Sequence, residues 1–249
     1  MAQLVNKQRG FFAGMILFSI LILPYLIVVW LTDANHHILS LGYVKKEIIQ
    51  VDSLGDISID STYAQVPDFK LLNQDQQYIT KQDLMGTNYV VHFFFSSCPT
   101  VCVETMPNLL HLQKKIKNYG IENFKIISIS VDPNNDTPDQ LKQYANQYGV
   151  DVSNWEFLTG SQEEIYSIAH SGFSIAAARD SLAPGGIFHS SDITIVDDKG
   201  FLRTGLDKKK NTKFVYDGTS TADIKLLIGE IQRLSITEFK DNYEIIKKQ

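Results

Sequence analysis

Residues 89–95 (YVVHFFF) form an almost uninterrupted apolar run, and the only two cysteines of the chain, Cys98 and Cys102, follow it closely. A short run rich in β-branched and aromatic residues is typical of a strand that is buried on both faces. Pro99 favours the first turn of a helix, since its missing N–H costs no hydrogen bond there. The sequence therefore predicts a buried strand, a corner with Cys98 at a helix N-cap, and a helix over 99–118.

Strand and helix patterns alternate through the following residues. Further strands are predicted at 69–72, 77–80, 124–131, 155–158, 192–196 and 200–205, and further helices at 136–148, from 161 onward and at 221–234. Strands that alternate with helices indicate a mixed α/β sheet with helices on both faces. A strand, a cysteine-bearing helix and a second strand form the thioredoxin-like arrangement. One domain over 62–236 accommodates all of these elements, with an insertion within 160–190 that includes a stretch of small and polar residues at 176–186.

The N-terminal segment differs in composition from the rest of the chain. Residues 10–31 hold no charged side chain, and at about 1.5 Å per residue they are long enough to cross about 30 Å of hydrocarbon. Lys7 and Arg9 precede this run, and the next basic residue is Lys45, so the positive-inside rule places the N-terminus in the cytoplasm. We expect a retained anchor rather than a signal peptide, because the run is long and lacks an A-x-A-like end.

These features predict five parts and a cellular location. The parts are a cytoplasmic N-terminus (1–9), a transmembrane anchor (10–31), a stalk (32–61), a thioredoxin-like domain (62–236) and a C-terminal tail (237–249). A segment with two basic residues is a poor organelle transit peptide, so we expect a single-pass protein of a bacterial inner (cytoplasmic) membrane, with its globular domain in the periplasm. The net charge of −5 argues against nucleic-acid binding, which needs basic residues to neutralise phosphates.

The two thiols are suited either to redox exchange or to binding a soft metal ion. At a helix N-cap, Cys98 would have a lowered pKa because of backbone N–H groups and the helix dipole. Three residues separate the cysteines, whereas oxidoreductases of the thioredoxin type use two. Copper(I) prefers soft thiolates and low coordination numbers, while structural zinc normally takes four ligands and the chain has no third cysteine. Both the dithiol and the disulfide remain accessible, so thiol–disulfide exchange stays an alternative function.

A histidine is the expected third ligand, and His189 is the strongest candidate. It follows the flexible sequence 184–186 (PGG) and immediately precedes the strand predicted at 192–196. In a thioredoxin-like sheet, the loop that enters this strand faces the cysteine corner, where thioredoxins place a cis-proline. The other histidines are expected to be structural or solvated: His36, His37, His92, His111 and His170.

Two aspartates follow the second buried strand. We expect Asp132 and Asp136 to act in structure rather than as metal ligands, by accepting hydrogen bonds from backbone N–H groups of the turn and of the next helix start. A functional interpretation of Asp132 remains open, because it ends a strand next to the cysteine-bearing one.

In combination, these motifs resemble the Sco/SenC family of membrane-anchored copper proteins, which assist the assembly of cytochrome c oxidase. The matching segments are FFFSSCPTVC (93–102), SVDPNNDTPDQLKQYA (130–145), FLTGSQEEI (157–165), a histidine at 189 before a strand, and YDGT (216–219). The chain departs from many family members at Val103, where they have proline, and at Phe188, where they have aspartate. Neither departure removes a ligand atom.

The resemblance implies a ligand set, a cargo and partners. Cys98, Cys102 and His189 would bind copper, as Cu(I) or Cu(II), through their side chains. The copper would pass to the copper-bearing subunit of cytochrome c oxidase, or the dithiol would reduce the cysteines of that subunit. Other envelope copper chaperones or thiol reductases are further expected partners. The protein would then be a metallochaperone rather than an enzyme by turnover, with thiol–disulfide reductase activity as the alternative.

Overall fold

The structure is a computed structural model that describes residues 22–24, 41–51, 57–173, 175, 177–207, 209 and 211–246. The chain divides into two compact units, Met1–Leu39 and Ser40–Gln249. In the first unit, residues 22–24 are helical, and the rest of the predicted anchor (10–31) lies outside the described residues. Among the helices that are described, none combines the length and the apolar character needed to span a bilayer.

The second unit contains all the numbered elements. Its strands are β1 (Gly42–Tyr43), β2 (Lys45–Val51), β3 (Ile57–Tyr63), β4 (Lys70–Asn73), β5 (Tyr78–Thr80), β6 (Asn88–Phe94), β7 (Phe124–Ser130), β8 (Trp155–Thr159), β9 (Ala177–Arg179), β10 (Ile187–His189), β11 (Asp192–Val196), β12 (Arg203–Leu206), β13 (Thr212–Lys213) and β14 (Tyr216–Asp217). Its α-helices are α1 (Lys81–Leu84), α2 (Val101–Asn118), α3 (Pro138–Tyr148), α4 (Gln162–Ser167) and α5 (Thr221–Ile246). A π-helical turn (Ile168–Gly172) continues α4, and a 3-10 turn (Pro184–Gly186) precedes β10.

A seven-stranded mixed sheet forms the centre of the unit, in the order β14-β11-β6-β7-β8-β4-β5. The β6, β7 and β8 strands run parallel, and β11 pairs antiparallel with β6. Every residue of β6 is buried, as its apolar sequence predicts for a central strand covered on both faces. The mixed α/β sheet with flanking helices that the sequence predicts is therefore confirmed.

His92 is buried within this apolar core. His92 Nε2 accepts a hydrogen bond from the Ser128 hydroxyl at 2.5 Å, and the same oxygen accepts one from the Trp155 indole at 2.7 Å. Burial lowers the pKa of His92 to about 3, so the ring is neutral. The expectation that His92 is a core histidine is confirmed.

The helices follow from local signals in the sequence. The Thr137 hydroxyl caps α3 by accepting the Gln140 N–H, Pro138 occupies the first turn, and Gly149 ends the helix with a positive φ of 66°. Ser161 caps α4 by accepting the Glu164 N–H. The predicted helix starts at both positions are confirmed.

The cysteine-bearing helix begins later than predicted. The α2 helix starts at Val101 rather than at residue 99, and Thr100 is its N-cap residue. The Cys98 N–H donates to the Phe95 carbonyl oxygen at 3.1 Å, which closes a turn before the helix. Cys98 is therefore not the N-cap residue, because residues 95–100, here called the cysteine loop, adopt a turn conformation of their own.

The segment predicted as an irregular stalk contains strands. The β2 and β3 strands form a hairpin, and β1 pairs antiparallel with β12. Leu41 is buried, and Arg203 donates hydrogen bonds to the carbonyl oxygens of Leu41 and Gly42. The Arg203 guanidinium also pairs with Asp197 at 2.8 Å and lies 4.0 Å from the centre of the Tyr43 ring. The contacts of Arg203 with Leu41 and Gly42 join residues 162 and 161 positions apart, so no local pattern reveals them.

Three further elements differ from the prediction. The β12 strand follows the expected turn after β11, but beyond a single bridge between Val196 and Leu202 it pairs with β1 and β13 instead. The insertion at 176–186 contributes to a hairpin of β9 and β10. The final helix runs to Ile246 rather than to residue 234.

The buried Arg203–Asp197 pair should contribute strongly to stability. Arg203→Met leaves the buried Asp197 carboxylate without its cation, so we expect the free energy of unfolding to fall by about 3–5 kcal/mol in urea titrations. Lys142→Ala, which removes the exposed pair of Lys142 with Asp75 at 2.8 Å, should cost less than about 1 kcal/mol. An equal loss of unfolding free energy in the two variants would show that the buried pair contributes no more to stability than an exposed one.

Candidate metal centre

The cysteine loop and the first turn of α2 bring the two thiols to the carboxyl end of β6. Cys98 and Cys102 are free cysteines, 8% and 4% exposed. The Cys98 sulfur accepts hydrogen bonds from the backbone N–H groups of Thr100 and Cys102. The Thr100 hydroxyl lies 3.7 Å from the same sulfur. The backbone N–H groups that the sequence analysis expected to stabilise a Cys98 thiolate are thus present, and they come from the N-cap residue Thr100 and the first turn of α2, although Cys98 itself is not the N-cap residue.

The third residue of the group comes from the hairpin at 177–189, here called the histidine arm. His189 lies opposite Ala177 in the register of β9 and β10. Ile187 and His189 are buried while Phe188 is exposed, since successive side chains of a strand point to opposite faces. The arm turns at Gly185 and Gly186, which have φ values of 77° and 78° that favour glycine. The turn packs closely on the cysteine loop, because a Cβ at Gly185 would lie 2.8 Å from the Phe95 ring.

The imidazole of His189 faces both sulfur atoms at the same distance. Its Nε2 lies 3.6 Å from the Cys98 sulfur and 3.6 Å from the Cys102 sulfur. The other ring nitrogen, Nδ1, donates to the Ser190 carbonyl oxygen at 3.0 Å. Because a carbonyl can only accept, this bond puts the proton on Nδ1 and leaves the Nε2 lone pair directed at the thiols.

The three side chains fit a single soft metal ion. Their ligand atoms lie within 4.8 Å of one another. Metal bonds of about 2.3 Å to sulfur and about 2.1 Å to nitrogen span up to about 4.4 Å, so the 3.6 Å separations are within reach of one shared ion. Two thiolates and one imidazole are a donor set that copper accepts. The Ser190 carbonyl would orient the imidazole in the way usual for histidine ligands.

The two thiols differ in acidity. A hydrogen bond from the Cys102 thiol is the largest cause that lowers the pKa of Cys98, and the two backbone N–H groups add to it against the effect of burial. The same thiol–thiolate bond, together with burial, raises the pKa of Cys102. In the dithiol state Cys98 therefore carries the negative charge and is the nucleophile, while Cys102 is a neutral donor.

The sequence analysis missed the main role of Asp136. Its carboxylate accepts hydrogen bonds from the backbone N–H of Ser96 at 3.0 Å, from the Ser96 hydroxyl and from the Ser130 hydroxyl. Burial raises the pKa of Asp136, and these hydrogen bonds act in the opposite direction. Asp136 thus holds the cysteine loop rather than the next helix start. The signal that could have revealed it is the pair of serines just after β6 and at the end of β7, which are neighbouring parallel strands.

The other candidates lie elsewhere. Asp132 bonds side chains rather than backbone N–H groups: it accepts from the Asn135 amide at 2.6 Å and pairs with Arg179 at 3.4 Å. In the described part of the chain, neither aspartate belongs to the group formed by the two cysteines and His189. His170 Nε2 lies 3.1 Å from the Ala177 carbonyl oxygen, and His111 is exposed on α2. His36 and His37 fall outside the described residues.

Known proteins resemble this chain in sequence and in fold. The SCO1/SenC family model matches residues 58–222. The SCO1 protein homolog of Bacillus subtilis is 34% identical over 151 residues, which are 60% of this chain and 77% of that protein. The structure of BsSco, a member of the Sco family of cytochrome c oxidase assembly proteins in which a disulfide switch was identified, has a TM-score of 0.59 and 31% identity, covering 70% of this chain and 94% of that one. The copper-bound ScoI of Arabidopsis thaliana gives a TM-score of 0.53 and 26% identity over 68% of this chain and 99% of that one.

A mixed sheet whose cysteine corner faces a histidine on a neighbouring hairpin defines a class of thioredoxin-like proteins with a Cys-Cys-His group. Within that class, the chain belongs to the SCO1/SenC family. The resemblance found in the sequence is confirmed.

The difference in acidity between the thiols predicts selective alkylation. Iodoacetamide should modify Cys98 at nearly the same rate at pH 6 and pH 8, because its pKa lies well below both and it is already a thiolate. Cys102→Ala removes the donor with the largest effect, so alkylation of Cys98 should become slower at pH 6. Mass spectrometry of the modified peptides measures both rates. A Cys98 rate that rises about tenfold per pH unit in the native chain, as for an ordinary thiol, would contradict the assignment.

Proposed function

We propose that the chain binds one copper ion through Cys98, Cys102 and His189 and serves as a copper chaperone in cytochrome c oxidase assembly. The observation that carries the proposal is the position of His189 Nε2, 3.6 Å from each sulfur and with its lone pair free. The copper-bound structure of ScoI supports copper as the metal, and the assembly role of the Sco family, to which BsSco belongs, supports cytochrome c oxidase assembly as the process. Copper is the cargo in this proposal, and the copper-bearing subunit of the oxidase is its recipient.

The donor set suits both oxidation states of copper, for different reasons. Two soft thiolates alone partly satisfy Cu(I), which accepts low coordination numbers. Cu(II) needs the imidazole as a third donor. The imidazole donor, His189, lies on a separate hairpin from the two thiolates.

Thiol–disulfide exchange with the recipient is the second candidate function. The acidity of Cys98 and the neutral thiol of Cys102 beside it favour this alternative, since a thiolate attacks and a second thiol resolves the mixed disulfide. The disulfide switch named for BsSco supports it as well. Other envelope thiol reductases or copper chaperones would be the partners that restore the dithiol or load the metal.

Substitution of His189 separates the two functions. In the full-length chain, His189→Ala should weaken Cu(II) binding far more than Cu(I) binding, because the thiolates that remain hold Cu(I) in part. The variant should still cycle between dithiol and disulfide. Competition titrations with both oxidation states, thiolate-to-Cu(II) charge-transfer absorption and a disulfide-reduction assay measure the three properties.

The controls for this experiment are Cys98→Ser and Cys102→Ser, which should each abolish the charge-transfer bands. Bands that persist unchanged in either serine variant would refute copper ligation by these thiols. Equal loss of Cu(I) and Cu(II) affinity in His189→Ala would refute the differential role of the imidazole.

We also propose that residues 10–31 anchor the protein in a bacterial inner membrane, with the globular domain in the periplasm. The length of the uncharged run and the basic residues before it support this location. N-terminal sequencing of the membrane-extracted protein should find the original start, and deletion of 10–31 should release the protein from the membrane fraction. A mature N-terminus between residues 25 and 40 would show that the run is cleaved.

A further inference from the structure

The two segments that carry the proposed ligands are linked through the loop between β7 and α3. We propose that an ion pair between Asp132 and Arg179, here called the latch, positions His189 at the metal site by fastening the histidine arm to this loop. The inference rests on the proposed copper function for its metal-binding consequence, but the latch itself is a property of the protein without metal.

The Asp132 end of the latch is fixed from several directions. Asp132 is buried, and its backbone N–H donates to the Ser130 hydroxyl oxygen at 3.1 Å. The Asn135 amide donates to Oδ2 at 2.6 Å, which leaves Oδ1 as the oxygen that accepts from Arg179. The carboxylate therefore has one oriented oxygen available for a cation on the arm.

The Arg179 end is oriented as well. Its Nε donates to the Gln162 side chain at 3.1 Å, and its Nη2 lies 3.4 Å from Asp132 Oδ1. Arg179 is the last residue of β9 and lies opposite Ile187, two residues before His189. A restraint on Arg179 thus acts on the strand that carries the imidazole, through the ladder of β9 and β10.

The arm has little else to hold it at this end. It is a separate sheet of two strands with three residues each, and such hairpins are at best marginally stable alone. Residues 178–182 are exposed, and the buried contacts of the arm come from Ala177, Ile187 and His189 and from the turn at Gly185, which packs on the cysteine loop. Because the Arg179 end of the arm has few apolar contacts, an oriented ion pair there should have a measurable effect on its position.

A second connection holds the other ligands and provides a contrast. Asp136 binds the backbone and hydroxyl of Ser96 in the cysteine loop, and it also binds Ser130. The same short loop therefore contacts the cysteines' segment through Asp136 and the histidine's segment through Asp132. Loss of the Asp132 connection should affect only the imidazole, whereas loss of the Asp136 connection should affect the thiols.

The test compares Arg179→Gln and Asp132→Asn with the native full-length chain. Each variant should lower Cu(II) affinity by about fivefold, a size appropriate to a half-exposed ion pair, and Cu(I) affinity by less than about twofold. The double variant should lose no more than either single one, because both remove the same interaction. Arg179→Lys, which keeps the charge, should restore part of the Cu(II) affinity. Asp136→Asn should lower the affinity for both Cu(I) and Cu(II).

The matched control is Lys117→Gln, which breaks the exposed pair of Lys117 with Asp151 at 2.8 Å and should leave both affinities unchanged. Hydrogen exchange of the amides at 187–189, measured without metal, gives a readout that does not depend on copper. Exchange there should be up to about fivefold faster in Arg179→Gln and unchanged in Lys117→Gln.

The outcomes separate the latch from the copper function. Unchanged exchange at 187–189, or equal loss of Cu(I) and Cu(II) affinity in Arg179→Gln, would overturn the latch. If exchange at 187–189 is faster in Arg179→Gln but the native chain binds no copper, the latch is supported and only the proposed function is overturned. Faster exchange together with selective loss of Cu(II) affinity would support both.

Discussion

The buried carboxylate of Asp136 holds the loop on which the whole site depends. The cysteine loop leaves a central strand whose residues are all buried, so its backbone N–H groups must find partners in place of water. Asp136, just before α3, supplies a partner for the Ser96 N–H and also accepts from the Ser96 hydroxyl. The α2 helix begins at Val101, after the segment that this tertiary contact holds, and not at residue 99 as the local sequence predicts.

Those parts of the fold that local patterns determine were predictable. The apolar run at 89–95, the capping residues Thr137 and Ser161 and the glycine at 149 each specify an element through interactions within a few residues. The β1 strand and the course of β12 depend on Arg203, whose partners lie up to 162 positions away. A pattern within a short window contains no information about such a partner, so the stalk prediction missed β1, which pairs with β12.

The same distinction applies to the site. Cys98, Cys102 and His189 were found because the thioredoxin-like topology places the loop before β11 beside the cysteine corner, and the structure brings their ligand atoms within 4.8 Å. That His189 lies on a hairpin strand rather than in a loop was not predicted, since the small and polar residues of 176–186 show no strand pattern. The contacts of Asp136 with Ser96 and of Asp132 with Arg179 were also missed, because these partners lie on other segments of the chain. Topology therefore predicts which residues come together, while the orientation of their side chains depends on contacts in the tertiary structure.

In the proposed function, burial of the ligand atoms would set the conditions for transfer of the copper ion. His189 is 8% exposed and the two cysteines are no more exposed than that, so a recipient protein cannot reach all three donors while the histidine arm is in place. The cysteines lie in one continuous segment held by Asp136, whereas His189 lies on a hairpin with few buried contacts. Displacement of the arm would uncover the ligand atoms and remove the imidazole donor, while the two cysteines stay on a segment that Asp136 holds separately. The strength of coordination in such a divided site would depend on the position of one strand, because one of its three donors lies on the histidine arm and the other two do not.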